Sequence, residues 1–423
     1  MAEFKMSLTE VSALFKIKYE KLSENVYNSA NVLLGRVKKS YNFTGKELAI
    51  AIPQSFSGGV GSGTLPTANT AIYGDARISA KKMYAVVEID RETIKASLSD
   101  EGAFVRATKE VVQKGVESFM RNLSRALFND GSGKLGSSVA VASGDPKAAL
   151  LAADASGHIV VPVKAMKEAN FEERDLVDVE VSASASTGAG TTISGVEIIA
   201  VDPDNATNPT ITLSSSKVVL GNFEDGSGNL QAADIYMQNS KDADPEGLKL
   251  LDKSTGSSYG ISHGRRWKAA QKTSAGSIST DILNEMMLKV KKQCGKSPNL
   301  IITSFKQYEK ILNLINSDVQ YTVETRAGLK GKNGVPLSFS GIQFMSIDGP
   351  VGIFPERFVE DDRLYLLNDS HIHLHHRPDF GWFDDDGTVF LRKAGSDAYE
   401  ARYGGYLQVY INPCFHGVIS GLT

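Results

Sequence analysis

One helical pattern dominates this sequence, and it is longer than a compact domain ordinarily holds. Residues 99 to 129 read SDEGAFVRATKEVVQKGVESFMRNLSRALFN, in which apolar residues recur three and four positions apart. Ser99 and Asp100 are natural N-caps, and Gly131 stands where such a helix would stop. At about 1.5 Å per residue, the predicted helix is roughly 40 Å long. We therefore expect a spine along which the rest of the fold is arranged.

The stretch before the spine predicts a long extended loop. Two runs of alternating apolar residues, GKELAIAIPQ and KKMYAVVEIDRET, flank a segment rich in Gly, Ser and Thr, which favours a β-hairpin with a polar tip. The tip has no apolar face to bury at home, so we expect it to dock on a neighbouring molecule. The GGVGSG within it is not a phosphate loop, because TLPTANT follows instead of a helix start.

The complete pattern predicts an α+β protein with a small all-β insertion. Short β-branched runs separated by turn signals fill residues 156 to 244 and indicate a barrel-like domain. The domain organisation that we predict is an N-terminal arm (1–42), the extended loop (43–90), a segment with the spine helix (91–155), the insertion (156–244) and a mixed remainder (245–423).

The strongest candidate for chemistry is the stretch DSHIHLHHRPDFGWFDDDG at residues 369 to 387. In a strand, His371, His373 and His375 share one face, and two histidines at i and i+2 can both reach one zinc ion. These three are weak metal candidates, because no HExxH or CxxC supplies the rest of a site. A polar strand face is the favoured interpretation. If copies converged near a symmetry axis, stability would fall as the pH drops through about 6.5.

The remaining motifs are better explained as structure than as chemistry. The three aspartates at 384 to 386 lack the spacing of a calcium loop, and with the following glycine they predict a hairpin turn. The basic patch SHGRRWKAA is expected to hold a tryptophan at the edge of a core, although such a patch could also stack nucleic-acid bases. Cys294 and Cys414 form no CxxC pair and are expected to be reduced and buried.

Composition argues against several classes of protein. With 423 residues and a formal net charge of −3, the chain is neither disordered nor broadly basic. Its N-terminus lacks the apolar core of a signal peptide, and no run reaches the roughly 18 apolar residues of a membrane span. We expect a soluble protein made in a cytoplasm. No catalytic motif is present, so neither an enzyme nor a cofactor is expected.

The order of these parts resembles the major capsid proteins of tailed bacteriophages. The sequence AVVEIDRETIKASLSDEGAFVRATKEVVQKGVESFMRNLSRALFNDGSG is similar to that family's passage from extended loop into spine helix. The final strands, from RLYLLND to DAYEARYGGYLQVYINPCFHGVISGL, resemble its closing strands. The resemblance covers nearly the whole chain. It implies a peripheral domain with the spine helix and the extended loop. Residues 245–423 would form an axial domain, to which the helices at 278–315 and the strands after 340 mostly belong, together with strands that return to the peripheral domain.

The resemblance also implies a function and partners. The chain would form pentamers and hexamers of an icosahedral shell around double-stranded DNA, which it would contact non-specifically, with scaffolding, portal and decoration proteins as partners and no membrane contact. It would be assembled in the host cytoplasm and located in the virion. Because no long prodomain precedes the arm, a separate scaffold is expected. The candidate assembly contacts on the extended loop are Phe56, Leu65, Tyr73, Arg77, Lys81 and Lys82.

Two other functions stay open at this point. A bacterial nanocompartment shell protein would share the fold and enclose a cargo enzyme instead of DNA, although the inserted domain and the chain length favour the phage. A metal-dependent enzyme centred on His371, His373 and His375 is the third possibility. Lys81 and Lys82, near the base of the loop, would suit covalent cross-linking or a charged interface, but the sequence alone supports only a solvated or salt-bridged pair.

Overall fold

The structure is a computed structural model, in which strands outnumber helices among the described residues. It describes residues 32–40, 43, 45, 47–55, 63, 72–90, 101–139, 156–164, 167, 170–181, 191–203, 209–219, 222–223, 231–264, 266–318, 342–377, 381–383, 389–393 and 395–423. The α-helices are α1 (Val32–Arg36), α2 (Glu101–Leu127), α3 (Thr280–Cys294) and α4 (Phe305–Asp318). The strands are β1 (Lys38–Ser40), β2 (Glu47–Ser55), β3 (Ile72–Ser79), β4 (Lys81–Asp90), β5 (Lys134–Ser138), β6 (Ile159–Lys164), β7 (Leu176–Val181), β8 (Thr191–Asp202), β9 (Thr210–Leu213), β10 (Ala233–Met237), β11 (Ser257–Ser258), β12 (Ile261–Ser262), β13 (Ala270–Lys272), β14 (Leu300–Thr303), β15 (Ile342–Ser346), β16 (Gly349–Pro355), β17 (Leu364–Leu367), β18 (Ile372–His376), β19 (Gly381–Trp382), β20 (Phe390–Arg392), β21 (Ala398–Ile411) and β22 (Gly417–Ile419).

The long helix lies where its periodicity predicts, as α2 with 27 residues. Its predicted N-caps, Ser99 and Asp100, lie outside the described residues, as does most of the predicted N-terminal arm. Val116, Met120 and Leu123 lie three or four positions apart and are buried in the largest core cluster, as the helical period requires. The ring of Phe119 meets that of Tyr403 edge-on at 5.3 Å, which fixes α2 against β21.

The first sheet is organised around β21, a strand of 14 residues. Its strand order is β1-β18-β21-β19, and β4 and β20 also pair with β21. Glycine is needed at position 404, where β21 pairs with β4. A Cβ at Gly404 would lie 2.1 Å from the Met83 carbonyl oxygen. The inward-facing side chains of β4 include Met83, Val87 and Ile89, all buried, in agreement with the predicted alternation.

The predicted hairpin exists, but its return strand was wrongly placed. β2 pairs antiparallel with β3, which lies within the segment assigned to the tip, whereas β4 leaves the hairpin and pairs with β21. β3 forms the return strand because its inward-facing side chains are buried. Ala76 and Ile78 alternate inward and are fully buried, although Gly74 and Asp75 weaken the strand propensity of this stretch.

The inserted domain is a closed barrel with strand order β10-β5-β6-β9-β8-β7. Its interior is lined by β-branched and aliphatic side chains, among them Val161, Val179 and Ile235, each with no measurable exposure. The barrel begins at Lys134, upstream of the predicted boundary at 156, because β5 is required to join β10 to β6. The sequence KLGSS of β5 carries too little alternation to be recognised as a strand.

The second sheet has the order β13-β22-β17-β14-β16-β15. Helices α3 and α4 cover one face through a cluster that includes Met286, Val290 and Ile311. The opposite face contributes Leu300, Ile302 and other residues to the cluster shared with α2 and the first sheet. The two sheets and the spine therefore share one continuous apolar core. None of the described helices is long and apolar enough to cross a membrane.

Candidate assembly surfaces

The described part of the β2–β3 hairpin carries apolar side chains that are largely exposed to solvent. Ile72 is 55% exposed and Tyr73 is 59% exposed, beyond the anchored part of the hairpin. Leu48 and Ile50, on the other strand, are only half-buried. An isolated two-stranded sheet is marginally stable in water, and contiguous exposed apolar residues mark interaction sites. This end of the hairpin therefore has the character of an interface.

The base of the hairpin is firmly attached to the rest of the chain. Arg77 donates its backbone N–H to the carbonyl oxygen of Tyr259 at 2.9 Å. The Tyr259 hydroxyl in turn donates to the carbonyl oxygen of Val409 on β21 at 3.0 Å. Trp267, buried as its sequence context predicts, donates its indole N–H to Ser258 at 3.2 Å. The hairpin is thus fixed at its base, while Ile72 and Tyr73 farther along it are exposed.

The six predicted contact residues fall into three groups. Phe56 and Leu65 lie outside the described residues. Tyr73 and the side chain of Arg77 are exposed on β3. The two lysines contact their own chain: Lys81 Nζ donates to the carbonyl oxygen of Asp242 at 2.7 Å, and Lys82 Nζ lies 5.8 Å from the centre of the Tyr406 ring.

A second apolar surface lies at the edge of the second sheet. Among the strands that the structure describes, β15 pairs with β16 alone and therefore ends the sheet. Met345 on this strand is 73% exposed, and Ile347 in the following turn is 66% exposed. Edge strands with exposed apolar residues favour pairing with another chain. The exposure of these two side chains depends on tertiary packing, which a local sequence pattern does not encode.

The histidine-rich strand is a packed element. Ile372 and Leu374 point into the main core. His371 lies in a short 3-10 turn before the strand, and its ring stacks on Phe415 at 3.6 Å. His373 and His375 have ring centres 6.0 Å apart. His376 is the last residue of β18 and is buried.

The geometry gives these histidines no metal-binding arrangement. Among the described residues, no group of three or more His, Cys, Asp or Glu side chains has an arrangement suited to a metal ion. His375 is only 7% exposed, and within the described part of the chain neither of its ring nitrogens has a hydrogen-bond partner. The residues at 384 to 386 lie outside the described ranges.

Burial makes His375 and His416 acid-sensitive points of the fold. Desolvation lowers the pKa of His375 to about 4 and that of fully buried His416 to about 3. Both rings are therefore neutral in the folded chain while the unfolded chain protonates below about pH 6.5. The contribution of each neutral histidine to the free energy of unfolding is fully present above that pH. It falls as the pH drops towards 4, by about 1.4 kcal/mol per pH unit for each histidine.

The corresponding prediction concerns the slope of stability against pH. We expect the urea-unfolding free energy of the isolated subunit to fall between pH 6 and 4.5, with a shallower slope in His375→Phe, which keeps a ring but removes one titrating group. This effect belongs to the folded subunit and needs no symmetry axis. Parallel pH curves for the two proteins would contradict it.

The two ends of the barrel run side by side in a narrow neck, formed by residues 128–134 and 239–247. Asp130 and Glu246 form an isolated antiparallel bridge, and Asp242 donates its backbone N–H to the Ser132 carbonyl oxygen at 2.9 Å. Beside the neck is a polar cleft of about 310 Å³. It is lined by Lys81, Asp130, Gly131, Ser132, Asp242, Asp244, Glu246 and Lys253.

A buried ion pair ties the neck to the spine. The Arg125 guanidinium donates to Asp244 Oδ2 at 3.0 Å, and the two residues are 3% and 6% exposed. Burial lowers the pKa of Arg125 and raises the pKa of Asp244, while each charge favours the ionised form of the other. No sequence motif predicts this ion pair, because Arg125 and Asp244 are more than a hundred residues apart in the chain.

Comparison with known proteins gives matches in structure but not in sequence. No protein-family model matches the chain, and no curated protein matches it. A chain of the cyanophage A-1(L) capsid asymmetric unit aligns with 92% of this chain and 91% of its own length, at 12% identity and a TM-score of 0.49. A chain from Mycobacterium phage Bobi aligns over 99% of both, at 11% identity and a TM-score of 0.40.

A further aligned structure is not from a phage. The holo-SrpI encapsulin complex from Synechococcus elongatus PCC 7942 contains a chain that aligns with 91% of this chain and 85% of its own length, at 8% identity and a TM-score of 0.41. The structures that align with this chain thus include chains from a phage capsid, from a second phage and from an encapsulin complex. Because these identities and TM-scores are low, the function is argued from the chain's own surfaces.

Proposed function

We propose that this chain is the major capsid protein of a tailed phage, which self-assembles into pentamers and hexamers of an icosahedral shell around double-stranded DNA. The observation that carries the proposal is the β2–β3 hairpin, whose base is fixed by hydrogen bonds and whose end leaves Ile72 and Tyr73 in solvent. A projection of this kind is completed by a neighbour. When every subunit both offers and receives such a contact, modest contacts add up around a closed lattice.

The other parts of the fold support the same proposal. Helix α2 with the first sheet forms the peripheral domain, and the second sheet with α3 and α4 forms the axial domain. The exposed edge of β15, with Met345 and Ile347, supplies a second contact region in the capsomer. The barrel is an insertion joined by a two-stranded neck, which leaves most of its outer surface available to other proteins.

The proposed partners follow from this role. Scaffolding, portal and decoration proteins would bind the assembling shell, and the packaged DNA would be contacted without sequence preference. A net charge of −3 fits weak contact with DNA, because tight binding requires many neutralised phosphates. The proposed location is the virion, after assembly in the host cytoplasm, and the role involves no catalysis.

Electron microscopy of the purified full-length chain tests the proposal. We expect closed particles hundreds of ångströms across, built from five- and six-fold capsomers. A chain that stays monomeric at high concentration, with or without a co-expressed scaffold, would refute a shell role. The contents of particles made during infection or in the native host separate the phage capsid from a nanocompartment: nuclease-protected double-stranded DNA supports the former, and a bound cargo protein supports the latter.

A further inference from the structure

One segment of the barrel contacts both the spine helix and the second sheet. This bridging segment, residues 167 and 170–175, lies between β6 and β7. At its start, Lys167 Nζ lies 3.5 Å from Oε1 of Glu360, in the loop between β16 and β17 of the second sheet. At its end, Asp175 Oδ2 lies 3.0 Å from Arg121 Nη2 of α2. The barrel is therefore attached to the rest of the chain at these two places as well as by its neck.

The barrel holds the bridging segment through hydrogen bonds at both of its ends. Asn170 donates its backbone N–H to the Lys167 carbonyl oxygen at 2.9 Å. The Asn170 side chain donates to the Leu135 carbonyl oxygen of β5, also at 2.9 Å. Ile198 of β8 donates its backbone N–H to the Asp175 carbonyl oxygen at 3.0 Å. Both charged ends of the segment are thus fixed to the barrel, so the position of the barrel decides whether they reach their partners.

On the other side of this contact, Glu360 is the point at which three cations meet. Besides Lys167, its carboxylate accepts a hydrogen bond from Lys249 Nζ at 2.9 Å and contacts the Arg363 guanidinium. Lys249 belongs to the 3-10 turn Leu248–Asp252, which follows the neck. The Glu360 side chain is 19% exposed and the Lys167 side chain is 10% exposed. One largely buried carboxylate therefore joins the barrel, the segment after the neck and the second sheet.

The loop that carries Glu360 is itself fixed to the second sheet and to α4. Arg363 donates its backbone N–H to the Glu360 carbonyl oxygen at 3.0 Å. The Thr303 hydroxyl, at the end of β14, donates to the Arg363 carbonyl oxygen at 3.2 Å. Gln307 of α4 donates its side-chain amide to the Asp361 carbonyl oxygen at 2.8 Å. The carboxylate is thus held on a rigid base, and it is the barrel that docks against it.

The balance of charge at this contact depends on the Glu360 carboxylate. The other carboxylates of the cluster, Asp252 and Asp362, contact Arg363. Both lysines contact Glu360. Burial lowers the pKa of Lys167 to about 8, and the charge of Glu360 counteracts that change. Largely buried cations that lose their counter-ion are poorly solvated and repel one another. Neutralising Glu360 therefore turns an attractive contact between the barrel and the second sheet into a repulsive one.

We propose that the bridging segment is a brace that holds the barrel in one orientation against the spine and the second sheet, and that the contact of Lys167 with Glu360 is the joint at which it is released. The lysine at one end of the brace meets a carboxylate, and the carboxylates at the other end meet an arginine of α2. A reversed orientation would bring like charges together, so the pairing favours one orientation. The brace belongs to the folded subunit, and the inference holds or fails independently of whether the chain forms shells.

Hydrogen exchange of the native full-length chain, followed by mass spectrometry, tests the brace. We expect each variant to speed exchange at least tenfold on the opposite side of the joint: Glu360→Gln in residues 170–175, and Lys167→Met in residues 356–363. Strands β7 and β10 and helix α3 should keep their protection, because the barrel and the second sheet stay folded. The matched control is Lys241→Met, which removes an ion pair with Glu180 of the barrel's own β7 and should leave residues 356–363 unchanged. Faster exchange confined to the mutated side would overturn the proposal.

The titration of Lys167 separates release of the joint from a local loss of charge. It is followed by NMR in chain labelled with ¹³C at the lysine ε-carbons, and the Lys167 signal is the one missing from Lys167→Met. In the wild type we expect a midpoint near pH 8. In Glu360→Gln, release brings the amine into water, and the midpoint should rise towards the value of an ordinary lysine, about 10.4. A joint that stayed closed would lose the attraction of the carboxylate, and the midpoint would fall below that of the wild type, which would overturn the proposal. If Glu360→Gln does not fold, Glu360→Asp keeps the charge but withdraws it from Lys167, and the same two outcomes apply.

Discussion

Replacing Ile72 and Tyr73 together by aspartate is expected to abolish particle formation while leaving the subunit folded. Both side chains are more than half exposed in the single chain, so the change costs the isolated subunit little. In the proposed shell they are buried against a neighbour. Each apolar side chain so buried is worth about 1.5–3 kcal/mol, so their loss raises the protein concentration needed for assembly at least about 100-fold.

Light scattering and electron microscopy over a series of protein concentrations measure the effect, and circular dichroism and urea unfolding check the fold. The matched control is Val219→Asp, since Val219 is 58% exposed but belongs to the segment between β9 and β10 of the barrel and not to the hairpin. We expect the control to assemble as the wild type does. Normal particles from the Ile72→Asp/Tyr73→Asp variant would remove the hairpin from the interface and with it the main support for the proposed function.

The sequence predicts those elements of the fold whose pattern of apolar residues lies within the element itself. The spine helix was predictable because α2 carries its own amphipathic period over 27 residues. The inward positions of β4 and β18 were predictable for the same reason. By contrast, β3 contains Gly74 and Asp75 and becomes a strand only by pairing with β2. Likewise, β5 becomes a strand only because the barrel has to close.

The candidate surfaces show the same limit. The sequence marked the hairpin as a segment unable to bury itself, and Tyr73 is indeed exposed. It could not show that Lys81 reaches the Asp242 carbonyl oxygen, or that His375 is covered. Nor could it bring Arg125 to Asp244. All of these depend on contacts between segments far apart in the chain, which no local pattern encodes.

The second large effect is expected from Arg125→Met, which should destabilise the isolated subunit by about 3–5 kcal/mol. The substitution keeps much of the side-chain volume but leaves the buried Asp244 carboxylate without its partner. Burial already raises the pKa of Asp244, and Arg125 counteracts that rise. Without Arg125, Asp244 folds protonated, so the deficit grows as the pH rises above the ordinary range of an aspartate and is larger at pH 7 than at pH 5.

Urea unfolding of the isolated subunit at both pH values measures this deficit, and two further variants interpret it. Arg121→Met, one turn earlier on α2, is the matched control: Arg121 pairs with Glu172 and Asp175, which are more exposed than Asp244, so its loss should cost about 1 kcal/mol or less. Arg125→Met/Asp244→Leu should recover most of the stability, because an apolar pair replaces the ion pair without leaving a buried charge. If the double variant is no more stable than Arg125→Met, the guanidinium stabilises the neck by packing rather than by compensating the charge of Asp244.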